Sequence, residues 1–160
     1  SLMQGDAAVL TALNEILTGE LTAVNQYFLH ARMQRNWGFV KLAEHTYDES
    51  IDEMKHADRL IERILFLEGH PNLQRLGSLR IGESVEEQLA SDLTVEVEAL
   101  PRLRSAIGLT LETGDSVTRL LLEEILKAEE EHVDFLETQL HLIRTLGATD
   151  YLAQQIETDS

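Results

Sequence analysis

Apolar residues recur at spacings of three and four along nearly the whole chain, and the interruptions are confined to a few Gly and Pro positions. That period puts one face of a helix on a core, whereas a half-buried strand needs strict alternation. The chain is therefore read as all-α. Asp6 caps a first helix running to about Asn36, with Trp37 and Gly38 at the turn; a second runs to Glu68, where Gly69 and Pro71 stop it. Ser84 with Glu87 reads as a capping box opening a third helix, and Thr113-Gly114-Asp115 separates it from a fourth that ends at Gly147. A short fifth helix is expected over about 149–157. Pro101 falls inside the third helix and predicts a kink, because it removes a backbone hydrogen bond.

Four helices of about 30 residues, each ~45 Å long, make a four-helix bundle the default architecture. Two short turns and one long connection, residues 70–83, imply two antiparallel hairpins joined by a crossover. One domain over residues 3–160 is expected. Ser1 and Leu2 precede the first methionine, Met3, and read as the remnant of a tag.

With no cysteine, the chain has no disulfide or thiolate metal site, so carboxylates and imidazoles are its strong metal ligands. The composition fits a reducing, cytoplasmic setting, and no apolar run approaches the roughly 18 residues that cross a bilayer. A net charge of −16 opposes nucleic acid and anionic membranes and favours cations as partners.

Glu-x-x-His occurs at Glu53/His56 and again at Glu129/His132. The motif alone is weak evidence, but its register is not. Glu20 precedes Glu53 by 33 residues and Glu96 precedes Glu129 by the same 33, each lone glutamate lying in the helix before its partner motif. Leu13, Leu17, Val24 and Tyr27 surround Glu20 at helical offsets, and Leu89, Leu93, Leu100 and Leu103 surround Glu96 at the same ones. Both glutamates thus sit on core-facing stripes. Glu129 and His132 are likewise embedded among Leu122, Ile125, Leu126, Val133 and Leu136, whereas Thr46, Glu49 and Ser50 before Glu53 suggest a more polar or open end.

Unpaired carboxylates in a core cost several kcal/mol each and repel one another. No basic residue accompanies Glu20, Glu96 or Glu129 on their stripes, and two divalent ions would neutralise four carboxylates charge for charge. The competing reading is a buried polar network with protonated carboxylates. Imidazole and carboxylate without thiolate suit iron or manganese, and zinc also fits the ligand type.

On these residues the chain resembles the ferritin-like di-iron proteins, whose doubled Glu and Glu-x-x-His pattern is a described property of that group. Within it, GELTAVNQYFLHARM, ESIDEMKHADRLIERILFLEG and EEEHVDFLE are similar to segments of the bacterioferritin family, and ordinary ferritins lack the methionine of DEMKHAD. The resemblance implies a ferritin-like antiparallel four-helix bundle with a long crossover and a short fifth helix. It also implies a di-iron site: Glu20, Glu53 and His56 on one iron, Glu96, Glu129 and His132 on the other, with Glu53 and Glu129 bridging. Family members oxidise Fe²⁺ there with oxygen or peroxide and store ferric mineral in a hollow homo-oligomer of twenty-four subunits. By the same resemblance, Met54 from each of two subunits would ligate one haem b at a two-fold interface, and a ferredoxin-type reductant would release the iron.

Tyr27 matches a site-adjacent tyrosine that donates an electron or a hydrogen bond, plain core packing being the alternative. Asp48 stands where several members have a histidine that binds iron on the inner surface with the residue matching Asp52, so an inner relay here would be weaker or carboxylate-only. Asp150 matches a position near the four-fold channel. His30, His45, His70 and His141 lack a glutamate three residues earlier and are read as surface or packing residues. Two other readings remain open, a peroxidase-like di-iron oxidoreductase and a non-catalytic iron-packaging scaffold. The missing cysteines disfavour a self-contained rubrerythrin, and the charge disfavours DNA binding of the kind seen in other ferritin-like proteins.

Overall fold

The computed structural model describes residues 2–157, and in them the helices are α1 (Ala7–Asn36), α2 (Val40–Phe66), α3 (Val85–Thr113), α4 (Ser116–Leu146) and α5 (Ala148–Ala153). No strand occurs among the described residues. α1 packs on α2 and α3 on α4, the two hairpins lie against each other through α1–α3 and α2–α4, and α5 rests on α4. The α1–α3 pairs His30–Asp92 and Gln34–Gln88 run in opposite sequence directions, as do Arg59–Glu124 and Arg63–Asp115 across α2–α4 and the α4 N-cap. Neighbouring helices are therefore antiparallel, and the long segment between α2 and α3 is the crossover.

Capping chemistry explains most of the boundaries. The Asp6 carboxylate accepts from the amides of Ala8 and Val9 at 2.9 and 3.1 Å. At α3 the Ser84 hydroxyl accepts from the Glu87 amide, while the Glu87 carboxylate reaches the Glu83 amide instead of that of Ser84, one residue earlier than a closed capping box requires. Gly114, at φ 71°, ends α3 in the left-handed conformation that glycine adopts without steric cost.

Three expectations are revised. α2 ends at Phe66, not Glu68, because Glu68 itself turns left-handed at φ 65° and Gly69 closes the end by donating to Ile64. A Cβ on Gly69 would come within 2.7 Å of Leu10 Cδ2, so this glycine serves close packing against α1. α5 stops at Ala153, after which the chain turns and the Gln155 carbonyl accepts the Lys41 amide, satisfying a donor at the start of α2. α1 meets the length and composition of a membrane-crossing helix, contrary to the sequence reading, but it buries Glu20, Gln26, His30 and Gln34 within the bundle. Through Pro101, which is exposed, α3 continues as one helix.

The core is divided. Leu13, Leu17, Leu60, Ile64, Leu103, Leu122 and Ile125 fill one end, and Leu42, Leu89, Leu136, Ile143 and Tyr151 the other. Between them lies a belt of buried polar groups.

Candidate metal centre

Each of the four long helices contributes to that belt. α1 supplies Glu20, α2 Glu53 and His56, α3 Glu96, and α4 Glu129 and His132. A three-residue offset in a helix holds carboxylate and imidazole on one face, and antiparallel packing brings the two motifs opposite each other. The donor atoms fall into two overlapping groups, Glu20–Glu53–His56–Glu129 and Glu53–Glu96–Glu129–His132, within each of which all lie inside 4.8 Å. Glu53 and Glu129 belong to both. His56 Nδ1 stands 3.2 Å from Glu129 Oε1, 3.6 Å from Glu53 Oε2 and 3.7 Å from Glu20 Oε2. His132 Nδ1 mirrors it at 3.0 Å from Glu53 Oε1, 3.5 Å from Glu129 Oε2 and 3.7 Å from Glu96 Oε1.

These approaches are close but not aligned as hydrogen bonds. Seven buried atoms of the six side chains, both Nδ1 atoms and five carboxylate oxygens, have no hydrogen-bond partner among the described residues. Orphaned polar atoms at that density are costly unless something else binds them. Burial, reinforced by Glu129, lifts the Glu20 carboxyl to about 7. Burial opposes charge on His56, but Glu129 and Glu20 outweigh it and raise the imidazole to about 9. His132 likewise reaches about 9, where burial is overcome by Glu129, Glu49 and Asp52. Glu129, raised by burial but held down more strongly by His132 and His56, ends below the usual carboxylate range. Without a metal, protons on His56, His132 and Glu20 offset part of the charge of the carboxylates. Carboxylate and imidazole groups in this arrangement can bind two divalent ions.

Tyr27 is fully buried and donates to Glu96, while burial and then the charge of Asp92 push its own ionisation well upward, so it stays a donor. Thr46, Glu49 and Ser50, expected to mark an open end beside Glu53, are polar but buried, and Glu53 is wholly covered. Met54, turned away from Glu53 on α2, is 47% exposed.

The sequence reading missed a polar ladder continuing from the centre along α1 and α3. His30 is not plain packing: its Nδ1 lies 2.9 Å from Asp92, its Nε2 accepts the Gly82 amide at 3.0 Å, and Gln26 also donates to Asp92. Gln34, Gln88 and Thr46 form the next rung. The four-residue spacing of Gln26, His30 and Gln34, matched by Asp92 and Gln88, was the available signal. His45 stacks on Phe135 and pairs with Glu49, whereas His70 and His141 are exposed, as are Asp48, Asp52 and Asp150. A base does stand near the glutamates: Arg102 lines the same cleft as Glu20 and Glu96, six residues beyond Glu96 and off its stripe.

Comparison with known proteins gives the family. The family model for the ferritin-like domain matches residues 10–146. The chain is 57% identical over 152 residues to a bacterioferritin of Mycolicibacterium paratuberculosis, covering 95% of this chain and 96% of that one. It is 52% identical over 155 residues to a bacterioferritin of Streptomyces coelicolor, covering 97% and 93%. A bacterioferritin of Rhodobacter capsulatus is 52% identical over 145 residues, covering 91% and 90%. With the fold, the paired motifs and near-complete coverage in agreement, the chain belongs to the bacterioferritin family.

Proposed function

We propose that the protein stores iron and is a ferroxidase, taking two Fe²⁺ between Glu20, Glu53, His56, Glu96, Glu129 and His132 and oxidising them with dioxygen or peroxide. The observation that carries the reading is the set of seven unpartnered buried atoms aimed into one space. Two Fe²⁺ side by side give up two electrons together, enough to take dioxygen to peroxide or peroxide to water. Four anionic carboxylates favour the more highly charged ferric ion. On loading, His56, His132 and Glu20 give up their protons, because an imidazolium has no free lone pair and a neutral carboxyl is a far weaker ligand than a carboxylate. Tyr27 holds Glu96 by its hydroxyl and keeps that carboxylate turned toward the centre.

The ferric product is stored, on this reading, in a hollow shell of twenty-four copies. Exposed Leu73, Leu76, Leu79 and Ile81 on the crossover, with Phe66, Val117 and Leu120 at the bundle's end, supply apolar surface for contacts between copies. Fe²⁺ added in air, in excess of two per chain, should co-elute with protein in a particle more than about tenfold heavier than the 18.1 kDa chain. Iron precipitating apart from a monomer or isolated dimer would overturn the storage reading.

Met54 is proposed to ligate haem b on a two-fold axis, one thioether from each of two copies. The surroundings fit such a group: the thioether is exposed, and Phe28, Tyr47 and Ile51 beside it on α1 and α2 are 44%, 37% and 37% exposed. Phe28 and Tyr47 pack with ring centroids 6.0 Å apart, and the Arg32 guanidinium covers both rings. When bound, the haem would supply an electron path for reductive release by a ferredoxin-type donor. Met54→Leu is nearly volume-conserving and should abolish the haem spectrum while assembly and Fe²⁺ oxidation persist. A normal haem spectrum in that variant would place the ligand elsewhere.

A further inference from the structure

A narrow cleft between α1 and α3 descends to the proposed centre. Gly19, Ala23, Val95 and Ala99 form part of its walls, Glu20, Glu53, Glu96 and Glu129 its floor, and Arg102 is the one basic residue among the described residues that lines it. The guanidinium lies against Gly19, where a Cβ would come within 2.9 Å of Nη1 and 3.4 Å of Cζ. Arg102 Nε donates to the Glu98 carbonyl oxygen at 3.2 Å, which ties the side chain back to α3. Its guanidinium makes no ion pair with the four floor glutamates among the described residues. Gly19 thus leaves the space in which a permanent positive charge lies across the approach.

The opposite side of the centre is lined differently. His56 and His132, on α2 and α4, keep 12% and 11% of their side-chain surface exposed. Asp52, four residues before His56 on the same face of α2, is exposed. A cation approaching there meets the Asp52 carboxylate and two imidazoles that can take it as a ligand, whereas one approaching through the cleft first meets Arg102, a fixed charge with no lone pair to offer, between apolar walls that strengthen the field.

We propose that Arg102 is an electrostatic gate: it excludes divalent cations from the α1–α3 cleft, leaving that cleft to an uncharged oxidant while metal arrives from the α2–α4 side. The proposal rests on the reading of the six-residue centre given above. Charge balance gives the gate a sense of order. An empty centre, in which the carboxylates outnumber the imidazoles, is net negative behind the guanidinium and partly offsets the barrier, and a centre holding two divalent ions does not. Further cations are then refused while dioxygen or peroxide still passes.

The test uses the assembled full-length protein and Co²⁺, a redox-silent probe whose visible absorbance changes on binding, mixed in a stopped-flow instrument. At low ionic strength, Arg102→Gln should load Co²⁺ at least about tenfold faster than the unaltered protein, a factor worth ~1.4 kcal/mol. The difference should shrink in about 0.5 M salt, where the Debye length is only ~4 Å. Arg102→Lys, which keeps the charge, should load slowly, and all three should reach the same final Co²⁺ content. Equal rates at low salt with full final loading would overturn the gate and leave the centre standing, as would an acceleration indifferent to salt. Failure of every form to bind Co²⁺ would overturn the centre and the gate with it.

Discussion

Glu129→Ala is expected to slow Fe²⁺ oxidation by at least about a hundredfold, ~2.7 kcal/mol of lost transition-state stabilisation. Glu129 belongs to both donor groups, and both imidazoles face it, at 3.2 Å from His56 and 3.5 Å from His132. Its loss removes a ligand from each proposed ion at once and takes away the strongest partner holding each imidazole in its charged form. His132→Ala, which removes one ligand from one ion, should cost less, about tenfold. The order of the two variants in stopped-flow oxidation is therefore as informative as either rate. Rates within twofold of the unaltered protein, with helicity and assembly intact, would remove the centre from the chemistry.

Glu20→Gln should stabilise the metal-free protein by ~3 kcal/mol at pH 8 while weakening metal binding. Folding raises this carboxyl from 4.5 to about 7, chiefly by burial and then by Glu129, so the folded chain resists ionising it. A carboxylic acid with a raised folded-state pKa costs nothing below its unfolded value. Its cost grows as pH rises from about 4.5 to 7 and is constant above that. Glutamine avoids the cost, so its advantage should be absent at pH 4, develop across that window and level off above pH 7. Chemical denaturation of chelator-treated protein at several pH values measures it, and a gain independent of pH would assign the effect to packing. Stability given up at a site that must bind a ligand is the usual exchange.

The bundle was legible because its evidence is local. The apolar period, Asp6, Ser84 and Gly114 announce helices and their ends from a few neighbouring residues. The six candidate ligands were legible for a related reason: charged groups in the middle of apolar stripes contradict the stripe, and the shared 33-residue offset shows the contradiction to be repeated. What stayed hidden depends on contacts between distant segments. Glu68 looks like one more helical residue, and only the closing geometry shows that the left-handed turn falls on it and not on Gly69. His30 looks like a stray imidazole until the crossover returns Gly82 to its Nε2 and α3 brings Asp92 to its Nδ1. Arg102 lies off the glutamate stripe, and only the closeness of α1 at Gly19 puts it over the cleft. The tail of α5 is shortened by a bond to Lys41, more than a hundred residues away in sequence.

Anaerobic calorimetric titration of the metal-free protein with Fe²⁺, repeated at pH 7 in buffers of different ionisation enthalpy, decides whether the six residues form a metal centre. Imidazoles held near 9 and a carboxyl near 7 must lose their protons for the metal to bind. The titration should therefore show two Fe²⁺ per chain, release of about two to three protons per chain, and affinity that falls as pH is lowered. Binding of fewer than one Fe²⁺ per chain, or of two with no proton release, would contradict such a centre.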